Sequence, residues 1–443
     1  MQKRPHVQGY TPGERALDVF EKPEAGSWTE AFGLPTTPVS LRDIHDPGFF
    51  ELEKEAVFRR SWLYVGRVER LPRRGSYFTK ELPFLGVSAL IVRGLDDHIR
   101  AFHNACSHRG NKLVWSDDPD RETAGSCRQF ACKYHGWRFD LEGDVAYVHN
   151  APEFFDLDPA ELALPRIHCE VWAGFVFINL LDEPRETLRE FLTPTVERLE
   201  DFPFERMTEA WVCEGVVKAN WKVFIDAYQE LYHVPYVHSK MNDPKAQATG
   251  SDKVPFMVPR FLRFGRHRMY SSGGPTANSE VRSSRPLDAL FRSSLYGPID
   301  PPDVGPLGEG INPGRLERWG LDNWMLYPNF TIQVWGLGWY TVYEHWPIDV
   351  DSHRFILSMY FVPPRNGFER LSQEHTVNTV REFVLQDYGS CQTLQQAVSR
   401  NPRDRYFLND QEVLVRHLHH CVVEDVERYR RERAQEGGAG DAR

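Results

Sequence analysis

No apolar run of roughly 18 residues occurs in the sequence, so no segment reads as a membrane-spanning helix. The opening MQKRPHVQGYTPGERALDVF lacks the apolar centre of a secretory signal and carries acidic residues, which points to a cytoplasmic protein. Positive charge is not in excess: 53 basic residues face 63 acidic ones, a net charge of −10, and no basic field is available to a nucleic-acid backbone. Cysteine is scarce and odd in number, seven in 443 residues, which argues against a disulfide framework and leaves core packing or ligation as its uses. There is no internal repeat. Also missing are a G-x-G-x-x-G fingerprint after a strand and a C-x4-C-x2-C ferredoxin run, so the chain is not expected to draw electrons from NAD(P)H by itself.

What is present is too long for one core, and two domains are expected. Residues 1–44 read as an extended arm rich in Pro and Gly. From 45 to 168, short runs such as SWLYVGRV, VSALIVRG, HIRAFHNAC and QFACKYHGWRFD mix β-branched and aromatic residues with polar alternation, the pattern of a small all-β domain. A second domain is expected over 169–430. It holds a strand at 208–217, a helix carrying Trp221, Phe224, Ile225, Tyr228, Leu231 and Tyr232 at helical spacing, and irregular structure over 242–322. Three more strands follow, then long helices from about 370 to 400 and over EVLVRHLHHCVVEDVERYRRER. The fold class is therefore α+β, an antiparallel sheet with long helices. The charged, then Gly/Ala-rich end over 431–443 is expected to be a disordered tail.

Cys106-Ser-His108 is followed after 23 residues by Cys132-Lys-Tyr-His135. Each motif falls on a turn between short strands, so two thiolates and two imidazoles can face one centre. In a Rieske [2Fe–2S] cluster two Cys hold one iron and two His the other, which raises the potential above that of an all-Cys cluster. A Cys2His2 zinc site uses the same ligand types, but zinc fingers pair Cys with Cys and His with His at other spacings. Cys127 is the competing thiol and is read as a bystander.

The second constellation is Glu230-Leu-Tyr-His233-Val-Pro-Tyr-Val-His238. Two His five residues apart can converge on one metal, and non-haem Fe(II) oxygenases use two His and a carboxylate on one face of the iron. Alone, H-x4-H is a weak signal; a hundred residues after the first motif it is a strong one. The third ligand must arrive from elsewhere, and Asp387 in Glu382-Phe-Val-Leu-Gln-Asp387 is the candidate, against the alternative of a solvated helix residue.

Asn104-Ala-Cys106-Ser-His108-Arg109-Gly110 and Cys132-Lys-Tyr-His135-Gly136-Trp137, with Asn220-Trp221-Lys222, Asp226, Glu230, His233, His238, Gln386-Asp387 and Gln395, resemble the α subunits of Rieske non-haem iron oxygenases over nearly the whole chain. The resemblance implies an all-β Rieske [2Fe–2S] domain and a helix-grip, START-like (SRPBCC-like) catalytic domain on which the arm packs. It implies a cluster on Cys106, His108, Cys132 and His135, and Fe(II) on His233, His238 and Asp387. Asp226 and Glu230 take catalytic positions, with Glu230 linking an iron-ligand His to a cluster His across a subunit boundary. Many members carry Asp at that position; Glu occurs in several branches, one of which oxidises quaternary ammonium compounds. The implied partners are O2, a small organic substrate, expected to be aromatic, a separate NAD(P)H reductase with or without a ferredoxin, and further copies of the chain in a trimer.

The rival from another class is a Rieske electron carrier, which would have no use for Glu230, His233, His238 and Asp387. A zinc-stabilised binding protein fails on ligand order. Arg260, Arg263, Arg266 and Arg268 read as a solvated surface rather than a substrate-carboxylate site. Trp335, Trp339, Tyr340, Tyr343 and Trp346 read as strand core rather than an aromatic pocket.

Overall fold

The computed structural model describes residues 18–20, 27–118, 121–158, 160–238, 260–273, 286–313, 316, 319–400 and 404–440. Most of the expected arm, part of the irregular 242–322 stretch and the last three residues lie outside them.

Two compact units form, one over Phe58–Phe191 and the other from the chain on either side of it. In the first, strands run in the order Leu63–Arg67, Phe175–Asn179, Arg166–Trp172, Ile99–His103, Val87–Arg93, Ser76–Leu82 and Ala124–Ser126, all antiparallel. A three-stranded sheet of Phe130–Ala131, Arg138–Phe139 and Val145–Tyr147 carries the second ligand loop. The expected boundary at 168 moves later for a physical reason. Phe175–Asn179 is buried at all five positions and pairs with Leu63–Arg67, so it belongs inside this sheet. At the other end the helix Pro47–Glu53 belongs to the second unit, where Glu53 is buried on Trp221 and Lys222.

The second unit is a sheet in the order Asp18–Phe20, Arg260–Phe264, His267–Gly273, Trp319–Leu326, Phe330–Trp335, Trp339–Asp349, Ser352–Phe361 and Glu209–Val217. The Arg260–Gly273 hairpin replaces expected irregular structure. Phe264 pairs with His267 across the two-residue turn Gly265-Arg266, where Gly265 takes a φ of 58° that suits a tight hairpin. The arginines of this hairpin are not a solvated patch. Arg266 pairs with Asp425, Arg263 donates to the Phe32 carbonyl, and Arg268 is buried on Gln229.

Four helices position the site: α1 (Trp221–Asp226), α2 (Val234–Val237), α3 (Gly367–Val398) and α4 (Val413–Gly440). In α3, Val377, Val380, Val384, Asp387, Cys391, Gln395 and Val398 are all buried, a stripe at three- and four-residue spacing on the face turned inward. Asn366 caps its first turn by accepting the Glu369 N–H at 3.0 Å. Helix α4 continues to Gly440, past the expected disorder from 431. Its charges fall at helical spacing, with Arg428–Glu432 at 3.9 Å and Glu427–Arg431 at 4.0 Å, so they support the helix instead of fraying it.

The Asn-Trp-Lys motif fastens α1. Asn220 caps it, accepting the Lys222 N–H at 3.0 Å and donating to the Val350 carbonyl at 2.7 Å. Trp221 Nε1 donates to Glu53 at 3.2 Å, and the Lys222 ammonium pairs with the same carboxylate with both side chains out of solvent. Gln395 on α3 then accepts the Asn220 N–H at 2.9 Å and donates to the Ile44 carbonyl at 3.1 Å. The Asn220–Gln395 bond ties α1 to α3, and Val350 and Glu53 hold α1 from other elements.

Candidate metal centres

The two Cys-His loops are built alike. The Cys106 N–H donates to the Asn111 carbonyl at 2.8 Å and Gly110 N–H returns to the Cys106 carbonyl at 2.9 Å. In the second loop Cys132 donates to Trp137 at 2.8 Å and Gly136 to Cys132 at 3.0 Å. Both turns need a left-handed residue, and Gly110 and Gly136 supply it at φ of 75° and 74°. The thiols of Cys106 and Cys132 are buried, while His108 and His135 are half-exposed with ring centroids 4.7 Å apart. His108 lies flat on Trp137, centroids 4.9 Å apart, which holds its orientation. Burial, and after it the neighbouring Cys132, push the Cys106 thiol up to about 11, against backbone N–H groups of His108 and Arg109 that favour the thiolate. A cation that replaced the thiol protons would relieve that cost. Cys127 is partly buried against the same core as Cys106 and Cys132, its N–H on the Gly75 carbonyl.

His233 and His238 stand at the two ends of α2 as its N-cap and C-cap. Asp387 enters from the middle of the α3 stripe, its Oδ1 3.1 Å from His238 Nε2 and 3.6 Å from His233 Nε2. Among the described residues this trio is the group of His, Cys, Asp and Glu whose ligand atoms all lie within 4.8 Å of one another. Asp387 is 2% exposed and His238 is fully buried. Both Asp387 oxygens, His238 Nε2 and the nearby Tyr228 hydroxyl are buried without a hydrogen-bond partner. A carboxylate stranded on an apolar stripe is costly, and three lone-pair groups turned on one point suit a cation.

Each imidazole is oriented from behind. His238 Nδ1–H donates to Gln386 Oε1 at 2.9 Å, which leaves Nε2 as the free lone pair, and Phe383 stacks on its ring. His233 Nδ1 meets Glu230 Oε1 at 2.5 Å. Burial disfavours a charge on His233, but the hydrogen bond and charge of Glu230 together with the Asp387 and Glu412 charges outweigh it and raise its basicity.

The expectation of one helix carrying Trp221 through Leu231 and Tyr232 is corrected. The helix stops at Asp226, and the Glu230 carboxylate folds back to accept the backbone N–H groups of Tyr232 and His233. Capping the turn and holding the imidazole are then done by one side chain. Asp226 is not brought to the trio: its carboxylate accepts from His419 Nε2 at 3.0 Å and from Gln229 at 3.0 Å. His419, on α4, also meets Asp43 at 2.6 Å. Gln386 and Phe383 had no sequence role as supports, although their places one residue and one turn before Asp387 mark them. His419 lies in the Val-Arg-His-Leu-His-His stretch of the final helix, which the sequence marked without giving this residue a role.

The family model for the ring hydroxylating alpha subunit (catalytic domain) matches residues 197–428, and that for the Rieske [2Fe-2S] domain matches 61–161. This chain belongs to the Rieske-type ring-hydroxylating alpha-subunit family. As an alpha subunit it pairs a [2Fe–2S] domain with a mononuclear-iron domain, and the donor sets present fit both groups. It is 33% identical over 198 residues to the carnitine monooxygenase oxygenase subunit of Acinetobacter pittii, covering 44% of this chain and 50% of that protein. It is 29% identical over 287 residues to the glycine betaine monooxygenase oxygenase subunit of Chromohalobacter salexigens, covering 59% and 61%. The alpha subunit thus spans about half the length of the curated relatives it matches. A solved quaternary ammonium Rieske monooxygenase shares its fold, with a TM-score of 0.67, 22% identity and coverage of 88% of this chain and 95% of that one. No helix among the described residues is long and apolar enough to cross a membrane.

Proposed function

We propose that this chain is the oxygenase component of a Rieske system that hydroxylates a quaternary ammonium compound. The observation that carries the oxygenase reading is the buried trio of His233, His238 and Asp387, whose stranded lone pairs an electron carrier would not need. Cys106, His108, Cys132 and His135 hold the cluster in this reading, and the trio holds Fe(II). When bound, the cluster relays electrons singly and the iron binds and reduces dioxygen.

The protein's own residues prepare that chemistry. Gln386 and Glu230 fix the two imidazole tautomers, so each ring offers Nε2 to the metal. Glu230 holds the His233 ring and, in this reading, is the link to a cluster His of a neighbouring copy in a trimer. Asp226 supports this segment from behind through His419 and does not touch the reacting atoms. The electrons come from NAD(P)H through a separate reductase, with or without a ferredoxin.

The relatives' names and the aromatic residues beside Asp387 support the substrate class. Tyr228 and Tyr343 stand 4.9 Å apart, and burial first and then the Asp387 charge push the Tyr228 phenol well above its ordinary range. Neutral aromatic faces attract a quaternary ammonium without asking it for a hydrogen bond. Hydroxylation of the carbon next to that nitrogen uses O2, two electrons and two protons and releases water; the product then collapses to a tertiary amine and a carbonyl compound. The same faces would stack on an arene, the class expected from the family resemblance. With a reductase and NADH, O2 uptake and products are measured for carnitine, glycine betaine, choline and an aromatic panel. Tertiary amine formed in step with O2 supports the reading; turnover confined to the arenes overturns the substrate class, and full O2 coupling without iron overturns the site.

A further inference from the structure

Asn111 follows the first ligand loop, and its backbone and side chain serve different loops. Its carbonyl accepts the Cys106 N–H at 2.8 Å, closing the first loop. Its side-chain amide nitrogen crosses to the second loop and lies 3.8 Å from Cys132 Sγ, hydrogen-bond range for sulfur, while also donating to the Lys112 carbonyl at 2.7 Å. The two contacts use the two protons of one NH2 group. The Lys112 carbonyl also settles which way the amide faces, because the flipped side chain would set oxygen against oxygen.

The position is braced. Lys112 pairs with Glu81 at 3.0 Å, and Glu81 accepts from Ser88 at 2.7 Å. Asn104 accepts the N–H groups of Leu113 and Val114 at 3.1 and 2.8 Å. The amide therefore meets the sulfur from a fixed frame. The two sulfurs are served differently: backbone N–H groups of His108 and Arg109 favour the Cys106 thiolate, whereas Cys132 receives a side chain that mutation can remove.

We infer that Asn111 sets the reduction potential of the cluster by donating an N–H to the Cys132 thiolate. Reduction adds one electron, supplied by the reductase, and the added negative charge spreads onto the sulfurs. A donor dipole aimed at sulfur stabilises the reduced form more than the oxidised one and raises the potential. Asn111 is a positioning residue, acting through Cys132, and the inference rests on the reading of Cys132 as a cluster thiolate.

The test is a redox titration of the intact holoenzyme followed by EPR, with cluster content read from the visible spectrum. Asn111→Ala should keep the cluster and move its midpoint to lower potential; Asn111→Asp, which swaps the donor for a negative charge, should move it further the same way. An unmoved midpoint in Asn111→Ala with full cluster content overturns the inference. Should the variants lose the cluster, the unaltered chain decides. With asparagine 15N-labelled at the side-chain amide, pulsed EPR of the reduced cluster should show a weakly coupled nitrogen beyond those of the histidines, and its absence overturns the inference. A chain with no Rieske signal at all fails the ligand assignment instead.

Discussion

In the β unit, both ligand pairs sit on turns of a few residues whose thiols are buried and whose imidazoles reach solvent. In the larger unit, the trio comes from the two ends of α2 and the middle of α3 and is held by Gln386, Phe383 and Glu230. The difference follows from what each group must do. A relay has to be approached by donor and acceptor, so its imidazoles face outward beside Tyr134, which is 56% exposed. In the proposed reading the trio activates oxygen and has to exclude water, and a short helix and a long one together bury His238 and Asp387.

Crossed substitutions test that independence and carry the largest effects. Asp387→Ala should take the mononuclear iron from one per chain to near zero and turnover to background, with the cluster spectrum intact. Cys132→Ser should do the reverse. Metal analysis alongside EPR reads both, and loss of both centres from either variant would break the separation.

Glu230→Gln keeps the size of the link and removes its charge. Both centres should be retained and single-turnover cluster oxidation should slow strongly; an unchanged rate would reduce Glu230 to a turn cap. The support behind α1 comes next. Lys222→Met leaves Glu53 buried without its partner, which should cost about 3–5 kcal/mol in the larger unit. Unfolding followed by tryptophan fluorescence should shift while cluster absorbance holds to higher denaturant. Gln386→Leu frees the His238 ring and should weaken iron binding by about 10–100-fold, read by competition with a chelator.

The smallest effects are in pH. Burial lowers His353 to about 4, so as pH falls from the ordinary histidine value of about 6.5 the unfolded chain takes a proton that the folded one refuses, and stability drops across that window. His419 has the opposite sign. Burial opposes its charge, but Asp43 and Asp226 outweigh it and raise it to about 10, so its contribution is full below about 6.5 and is lost as pH rises toward 10. Denaturation midpoints should fall on both limbs, with His353→Phe flattening the acid limb and His419→Gln the alkaline one.

The cluster loops were legible because everything that makes them is local: Cys-x-His-x-Gly and Cys-x-x-His-Gly put ligands and the left-handed glycine within one turn. His233 and His238 were legible for the same reason, five residues apart around one short helix. The helix expected to run to Tyr232 was not, because the choice between continuing α1 and folding Glu230 back onto two N–H groups depends on the imidazole it meets. The arginine-bearing hairpin was misread as irregular because its charges find partners on α4 and on the segment ahead of α1, which no local pattern records.

Local chemistry, then, determined the two metal motifs, the α+β class and the need for two units, since these follow from residue type at short spacing. Only the tertiary structure decided that Asp387 faces the two histidines, that Asp226 turns to His419 instead, and that Asn111 crosses from one ligand loop to the sulfur of the other. A helix period of 3.6 residues places Asp387 on the stripe with Val384 and Cys391, but which surface that stripe meets is settled by tertiary contacts such as the Asn220–Gln395 bond that ties α1 to α3.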